Sequence, residues 1–147
     1  MTPYKSKTIA TWLALLLGSL GVHRFYLHGL KDKLAWLHPW PTLVGLYGVQ
    51  RMGLLGQDDQ LAWVLIPILG LMLSISMLTG IVYGLTPDEK WNQAHNPGLP
   101  VRASGWGNII GMVLCLMMGG ICLMSTIAFS AQRYFESQEE AAKAISQ

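Results

Sequence analysis

The chain contains four long apolar segments separated by polar stretches. A membrane-crossing helix needs about 20 predominantly apolar residues, so each segment is a candidate span and four spans are the favoured interpretation. The third and fourth segments carry no charged residue, whereas the first has a shorter uncharged part with aromatic residues near its ends. The pattern predicts an all-α integral membrane protein with hydrophobic helical segments at 8–27, 34–55, 61–85 and 108–131.

The second segment, 34–55, is the weakest because prolines and polar residues interrupt it. Pro39 and Pro41 remove backbone donors that a helix interior needs, and Arg51 lies near the end of the segment. We expect this segment to be either a kinked span or a half-inserted piece whose free backbone groups bond to neighbouring helices.

The remaining stretches are a tight turn at 56–60, a loop rich in Pro, Gly and Asn at 86–106, and a charged tail at 132–147. In the tail, Glu139 and Lys143 lie four residues apart, a spacing at which opposite charges pair on a helix. The tail therefore predicts a short water-exposed helix that continues the fourth segment. No internal repeat is evident along the chain.

Composition supports a membrane protein. Hydrophobic residues make up 52% of the chain and charged residues 12%, whereas soluble domains carry about 25% charge. The net charge of +2 and the scattered basic residues give no basic patch of the kind that binds nucleic acid. If all four segments cross the membrane, the ten Lys and Arg residues divide five and five between its sides, so the positive-inside rule does not fix the orientation.

The stretch 21–29 places a His-Arg pair at the end of the first segment, next to two aromatic rings. The four residues concerned are His23, Arg24, Phe25 and Tyr26. Charge at a membrane edge is costly unless it reaches water, phosphate or a partner, and the Arg fork binds phosphate or carboxylate bidentately. We expect these four residues to bind a lipid headgroup or a partner protein. The alternative is an interfacial turn in which Arg24 extends to water while the rings anchor the chain.

Small residues recur at helical spacing near the third and fourth segments. Gly80 with Gly84, and Gly107 with Gly111, fit the Gly-x-x-x-Gly pattern, which lets helices approach closely in a membrane. We expect these four glycines to pack helices, either within the chain or against another protein.

The reactive residues do not indicate an enzyme. No Ser-His-acid pattern and no phosphate-binding loop occurs, and no charge lies inside the third or fourth segment. His23, His28 and His38 are joined by no carboxylate pair and no cysteine, which disfavours a metal or haem site. We therefore predict no catalytic residue, no metal and no cofactor.

One motif resembles a known family. Residues 17–27 read LGSLGVHRFYL after a lysine-containing start, which resembles the two-transmembrane-domain (TM-two) family, and the acidic, Asn-containing stretch 83–96 is similar to the end of that family's domain. His28 stands where the family runs directly from Leu to Gly, the middle segment is enlarged, and the fourth helix is additional. The resemblance implies a small membrane protein, here of bacterial type, with no agreed enzymatic activity. It divides the chain into a TM-two-like region at 1–96 and a remainder at 97–147.

Together these features predict a non-catalytic accessory or scaffold subunit of a larger membrane complex. Its expected partners are membrane lipids and other integral membrane subunits, and nucleic acid is not among them. The alternatives are a small transporter or channel, and a subunit of a membrane oxidoreductase that carries haem, copper or quinone. The lysine-containing start without a long leader indicates a multi-pass protein of the bacterial cytoplasmic (inner) membrane.

Overall fold

The computed structural model describes residues 3–146, and every regular element in that range is a helix. The order along the chain is α1 (Lys7–Leu17), a short 3-10 helix (Gly18–Leu20), α2 (Val22–His28), α3 (Lys33–Leu37), α4 (Pro39–Leu55), α5 (Gln60–Leu85), α6 (Asp88–His95) and α7 (Trp106–Ile145). The central helix is α5, which packs against α7, α4 and α1. The all-α prediction is confirmed.

Within residues 3–146, two helices are long and apolar enough to cross a membrane, α5 and α7. They correspond to the predicted segments at 61–85 and 108–131. With 40 residues, α7 is about 60 Å long, roughly twice what a span needs, because the helix continues through the charged tail as predicted. The expectation of four spans is not confirmed.

The first predicted segment, 8–27, forms a helical hairpin. The chain turns after α1 through Gly21, whose φ of 77° lies in the left-handed region that favours glycine. The reversal brings the two ends of the segment together, and the Ser6 N–H donates a hydrogen bond to Tyr26 Oη at 2.7 Å. The prediction of one span over 8–27 is wrong, because α1 ends at Leu17 after about three turns and the chain then reverses through the 3-10 helix and Gly21.

The second predicted segment forms two helices, α3 and α4, joined at His38, which keeps helical angles (φ −58°, ψ −41°). The break coincides with the following proline, which has no backbone N–H. The two helices α4 and α5 run antiparallel in close contact. A Cβ added at Gly48 would lie 2.5 Å from the Leu65 Cβ, and Gly45 faces Leu69 in the same way. Glycines thus allow α4 to approach α5 backbone to backbone.

Hydrogen bonds join α1, α5 and α7 at one end of the bundle. Asn108 is buried there. Its Nδ2 donates to the Gly84 carbonyl at 3.0 Å, and its Oδ1 accepts from Thr11 Oγ1 at 3.2 Å. Trp12 Nε1 donates to the Gly107 carbonyl at 3.0 Å. Polar contacts of this kind hold helices together where lipid offers no hydrogen bonds, so they fix the start of α7 against the hairpin.

Candidate functional site

The predicted lipid- or partner-binding residues lie on α2, where they contact other parts of the chain. His23 is 1% exposed, and its ring centroid lies 5.6 Å from that of His38 and 5.9 Å from that of Tyr83. The ring of Phe25 meets the edge of Trp36 at 5.2 Å between centroids. These contacts hold α2 against α3 and α5, and binding of lipid or a partner by these residues stays a prediction.

Arg24 forms an ion pair that closes the turn between α2 and α3. Its Nε donates to Asp32 Oδ2 at 2.9 Å, while Asp32 Oδ1 accepts the Leu34 N–H at 2.9 Å. The carboxylate therefore pairs the arginine and caps the start of α3 at the same time. His28, the residue at which the family pattern is interrupted, lies beside this pair. Its Nδ1 is 3.6 Å from Asp32 Oδ2, and its ring centroid is 6.2 Å from that of His95.

The turn between α4 and α5 is also closed by an ion pair between an arginine and an aspartate eight residues later, although the Asp59 side chain makes no capping hydrogen bond to α5. Arg51 donates to both carboxylate oxygens of Asp59, from Nε at 2.8 Å and from Nη2 at 2.9 Å. Trp63 Nε1 donates to the Gln57 carbonyl, six residues earlier, at 2.7 Å, and the equivalent bond of Trp36 in the first turn measures 3.0 Å. We call residues 24–36 the first turn and residues 51–63 the second turn.

The two turns belong to an internal repeat with an offset of 27 residues. Residues 16–36 and 43–63 are identical at 11 of 21 positions. The shared residues, each repeated 27 positions later, are Leu16, Gly18, Gly21, Val22, Arg24, Leu27, Gly29, Asp32, Leu34, Ala35 and Trp36. The expectation of no internal repeat is wrong. Its signal lies in scattered residues at a fixed spacing, which stand out once the equivalent contacts are known.

The four predicted packing glycines lie at contacts between helices of this chain. The side chains nearest to an added Cβ are Cys115 for Gly80, Met112 for Gly84, Thr8 for Gly107 and Thr11 for Gly111. At Gly80 the added Cβ would lie 2.6 Å from the Cys115 Sγ and 3.3 Å from the Ala14 Cβ. All four glycines therefore face other helices of this chain, and packing against another protein stays a prediction.

A third ion pair, which sequence reasoning missed, ties the start of α1 to α6. Lys7, only 8% exposed, places its Nζ 2.6 Å from Asp88 Oδ1 and donates to the Thr86 carbonyl at 2.7 Å. Ser104 donates to Asp88 from both its hydroxyl and its backbone N–H. The hydrogen bonds from Lys7 and Ser104 lower the pKa of Asp88 to about 2. The N-terminal residues and the loop after α5 are therefore joined.

A family model described as TM2 domain matches residues 3–82. The chain belongs to the TM2 domain family. In this TM2 domain protein the match runs from the N-terminal hairpin into α5 and includes both turns, while α6 and α7 lie beyond it. Membership of the TM2 domain family and the two candidate spans indicate a small membrane protein. No curated protein and no solved structure matches the chain significantly.

Proposed function

We propose that this protein is a non-catalytic accessory or scaffold subunit of a larger complex in the bacterial cytoplasmic membrane. The observation that carries the proposal is an apolar groove between α5 and α7, with a volume of about 290 Å³. Its lining includes Leu78 and Leu116 together with the small residues Ser74, Gly119 and Gly120. The small residues in this otherwise leucine- and isoleucine-rich lining let a second helix approach closely in a membrane, so the partner is an apolar helix of another subunit.

Of the two glycines that line the groove, Gly120 is the one that is open to a partner. An added Cβ there would meet nothing within 4 Å, whereas one at the neighbouring Gly119 would meet Met77 at 3.1 Å. The large apolar residues of α7 that line the groove, Leu116 and Leu123, are exposed. A partner helix would bury them and would use the open glycine as its contact point.

The non-catalytic assignment is supported by the use the chain makes of its charged groups. Arg24, Arg51 and Lys7 each pair with an aspartate of the same chain. Each of these pairs joins two consecutive helices or ties the N-terminus to α6. These three charged groups therefore hold elements of the chain together, a role that is compatible with a scaffold.

The proposal includes a membrane topology with three crossings. The crossings are α3 with α4, then α5, then α7, while the α1–α2 hairpin enters and leaves on one side. Residues 33–55 correspond to about 34 Å of helix, against a hydrocarbon core of about 30 Å. The contact between Lys7 and Asp88 supports placing the N-terminus and the loop after α5 on the same side.

This topology breaks the tie in positive charge between the two sides. Seven basic residues share the side of the N-terminus, namely Lys5, Lys7, Arg24, Lys31, Lys33, Lys90 and Arg102. Three lie on the other side, namely Arg51, Arg133 and Lys143. Cytoplasmic loops carry the excess of Lys and Arg, so the proposal places the N-terminus in the cytoplasm and the C-terminal tail outside.

The test is affinity purification from native-level expression in mild detergent, followed by mass spectrometry. Gly120→Leu fills the groove, and we expect it to lose partners that the unaltered chain retains. The matched control is Gly53→Leu, because Gly53 is an α4 glycine that also has nothing within 4 Å of an added Cβ. Recovery of a free monomer from the unaltered chain, or full partner recovery with Gly120→Leu, would contradict the proposal.

A further inference from the structure

The internal repeat allows the two turns to be compared within one molecule. Both turns contain the Arg-Asp ion pair, and they differ in residues at their surfaces. In each turn the arginine and the aspartate form an ion pair with each other, so their charges cancel. The residues that differ between the turns lie between the arginine and the aspartate and directly after the aspartate. Lys31 and Lys33 of the first turn correspond to Asp58 and Gln60 of the second.

The extra charges of the first turn are accessible. Lys31 and Lys33 are both exposed, and within residues 3–146 neither forms an ion pair with a carboxylate. Because the charges of the Arg-Asp pair cancel in each turn, the first turn carries two free positive charges, whereas the second carries one free negative charge on Asp58.

The first turn also presents apolar surface beside these lysines. Trp36 is 59% exposed, and Leu30 and Leu37 are exposed as well. In the second turn the equivalent Trp63 is covered on one face by Arg133 of α7, whose Cζ lies 5.4 Å from the ring centroid. Exposed indole and leucine side chains next to lysines match the boundary between acyl chains and phosphate groups of a bilayer.

We propose that the first turn binds the phosphate groups of anionic phospholipids through Lys31 and Lys33, and that the second turn does not. The two turns thereby distinguish the two faces of the membrane, with the first turn at the anionic face. Charge complementarity selects the ligand, because paired Arg24 leaves the two lysines as the free cations of this turn. The inference rests on the membrane placement given above but not on the existence of a partner subunit.

The experiment measures the thermal unfolding midpoint of the purified chain in dodecyl maltoside micelles. The micelles contain phosphatidylglycerol or, for comparison, phosphatidylcholine. We expect phosphatidylglycerol to raise the Tm relative to phosphatidylcholine. Lys31→Gln with Lys33→Gln should lose more than half of this rise, with an unchanged Tm in phosphatidylcholine. The matched control, Lys90→Gln with Lys143→Gln, removes the same charge elsewhere and should keep the rise.

Three results would overturn the inference. One is the absence of a phosphatidylglycerol-specific rise in the unaltered chain. Another is an equal loss in the control variant, which would reveal attraction by net charge alone. The last is a similar rise with sodium phosphate added to phosphatidylcholine micelles, which would assign the lysines to free phosphate. Because no partner is present, none of these results depends on the groove between α5 and α7.

Discussion

Gly29 and Gly56 occupy equivalent places in the two turns and hold the same unusual backbone conformation. Their φ values are 77° and 94°, with ψ of −177° and −179°, a region that is essentially restricted to glycine. Each N–H closes the preceding helix by donating to a carbonyl four residues earlier, at 2.8 Å and 3.0 Å. A conformation that recurs at both copies is a requirement of the turn.

Gly29→Ala and Gly56→Ala should therefore each destabilise the protein by about 1–3 kcal/mol. The cause is backbone strain alone, because an added Cβ at either position meets nothing within 4 Å. Gly53→Ala is the control, since Gly53 lies inside α4, where alanine is favoured by about 0.5–1 kcal/mol. Unfolding midpoints in phosphatidylcholine micelles would measure the difference. Equal unfolding midpoints for all three variants would show that the backbone conformation of the two turns does not require glycine.

Single residues also mark the limit of what the sequence could predict. His23 and Arg24 stand out in the sequence as a polar pair at the end of an apolar run. The contact between the His23 ring and Tyr83 does not stand out in the sequence, because it forms only when the chain folds back. Asp32 is near enough in sequence to be found, and the repeated eight-residue spacing from arginine to aspartate was the available signal.

At the level of helices, α5 and α7 follow from the sequence while the hairpin does not. Long uncharged segments form helices wherever they lie in the membrane, because the backbone has no other donors and acceptors there. The first segment depends on contacts made by other helices. Gly18 lies against Ser76, and a Cβ added at Gly21 would lie 2.5 Å from the Ala35 carbonyl oxygen. Such contacts are set by tertiary packing, which local hydropathy does not contain.

The tie between α1 and α6 gives a pH-dependent contribution to stability. The pKa of Asp88 is lowered in the folded chain to about 2, so the folded state binds fewer protons there than the unfolded state. The contribution is present above the ordinary carboxyl pKa and is lost as the pH falls through the folded value. It amounts to at most about 2 kcal/mol.

Asp88→Asn should accordingly lower the free energy of unfolding at about pH 5 and have a much smaller effect at about pH 2. The measurement is thermal unfolding of both proteins at the two pH values. Asp58→Asn, the same chemical change at an exposed position without an ion pair among the described residues, is the control. A gap between Asp88→Asn and the unaltered chain that does not shrink on acidification would exclude this role of the ion pair.

For the whole molecule, the decisive consequence of the hairpin is the side of the membrane on which each end lies. Four crossings would put both ends on the same side, whereas three crossings and a returning hairpin put them on opposite sides. Both arrangements place the two turns at opposite ends of the bundle, because α4 leads from the first turn to the second. They differ in the side of the N-terminus, and the Lys7–Asp88 contact favours the second arrangement because it joins the N-terminal residues to the loop after α5. In the proposed topology the positively charged first turn then lies on the cytoplasmic side of the membrane and the second turn lies on the opposite side.

Cysteine labelling tests this arrangement most directly. Cys115→Ala and Cys122→Ala remove the native thiols, and Pro3→Cys or Ser146→Cys introduces a single thiol at an exposed position near either end. A membrane-impermeant maleimide is applied to intact spheroplasts and to inverted vesicles. We predict that the thiol at position 146 reacts in spheroplasts and the thiol at position 3 reacts only in inverted vesicles. Reaction of both thiols from the same side would contradict the returning hairpin and the three-crossing topology.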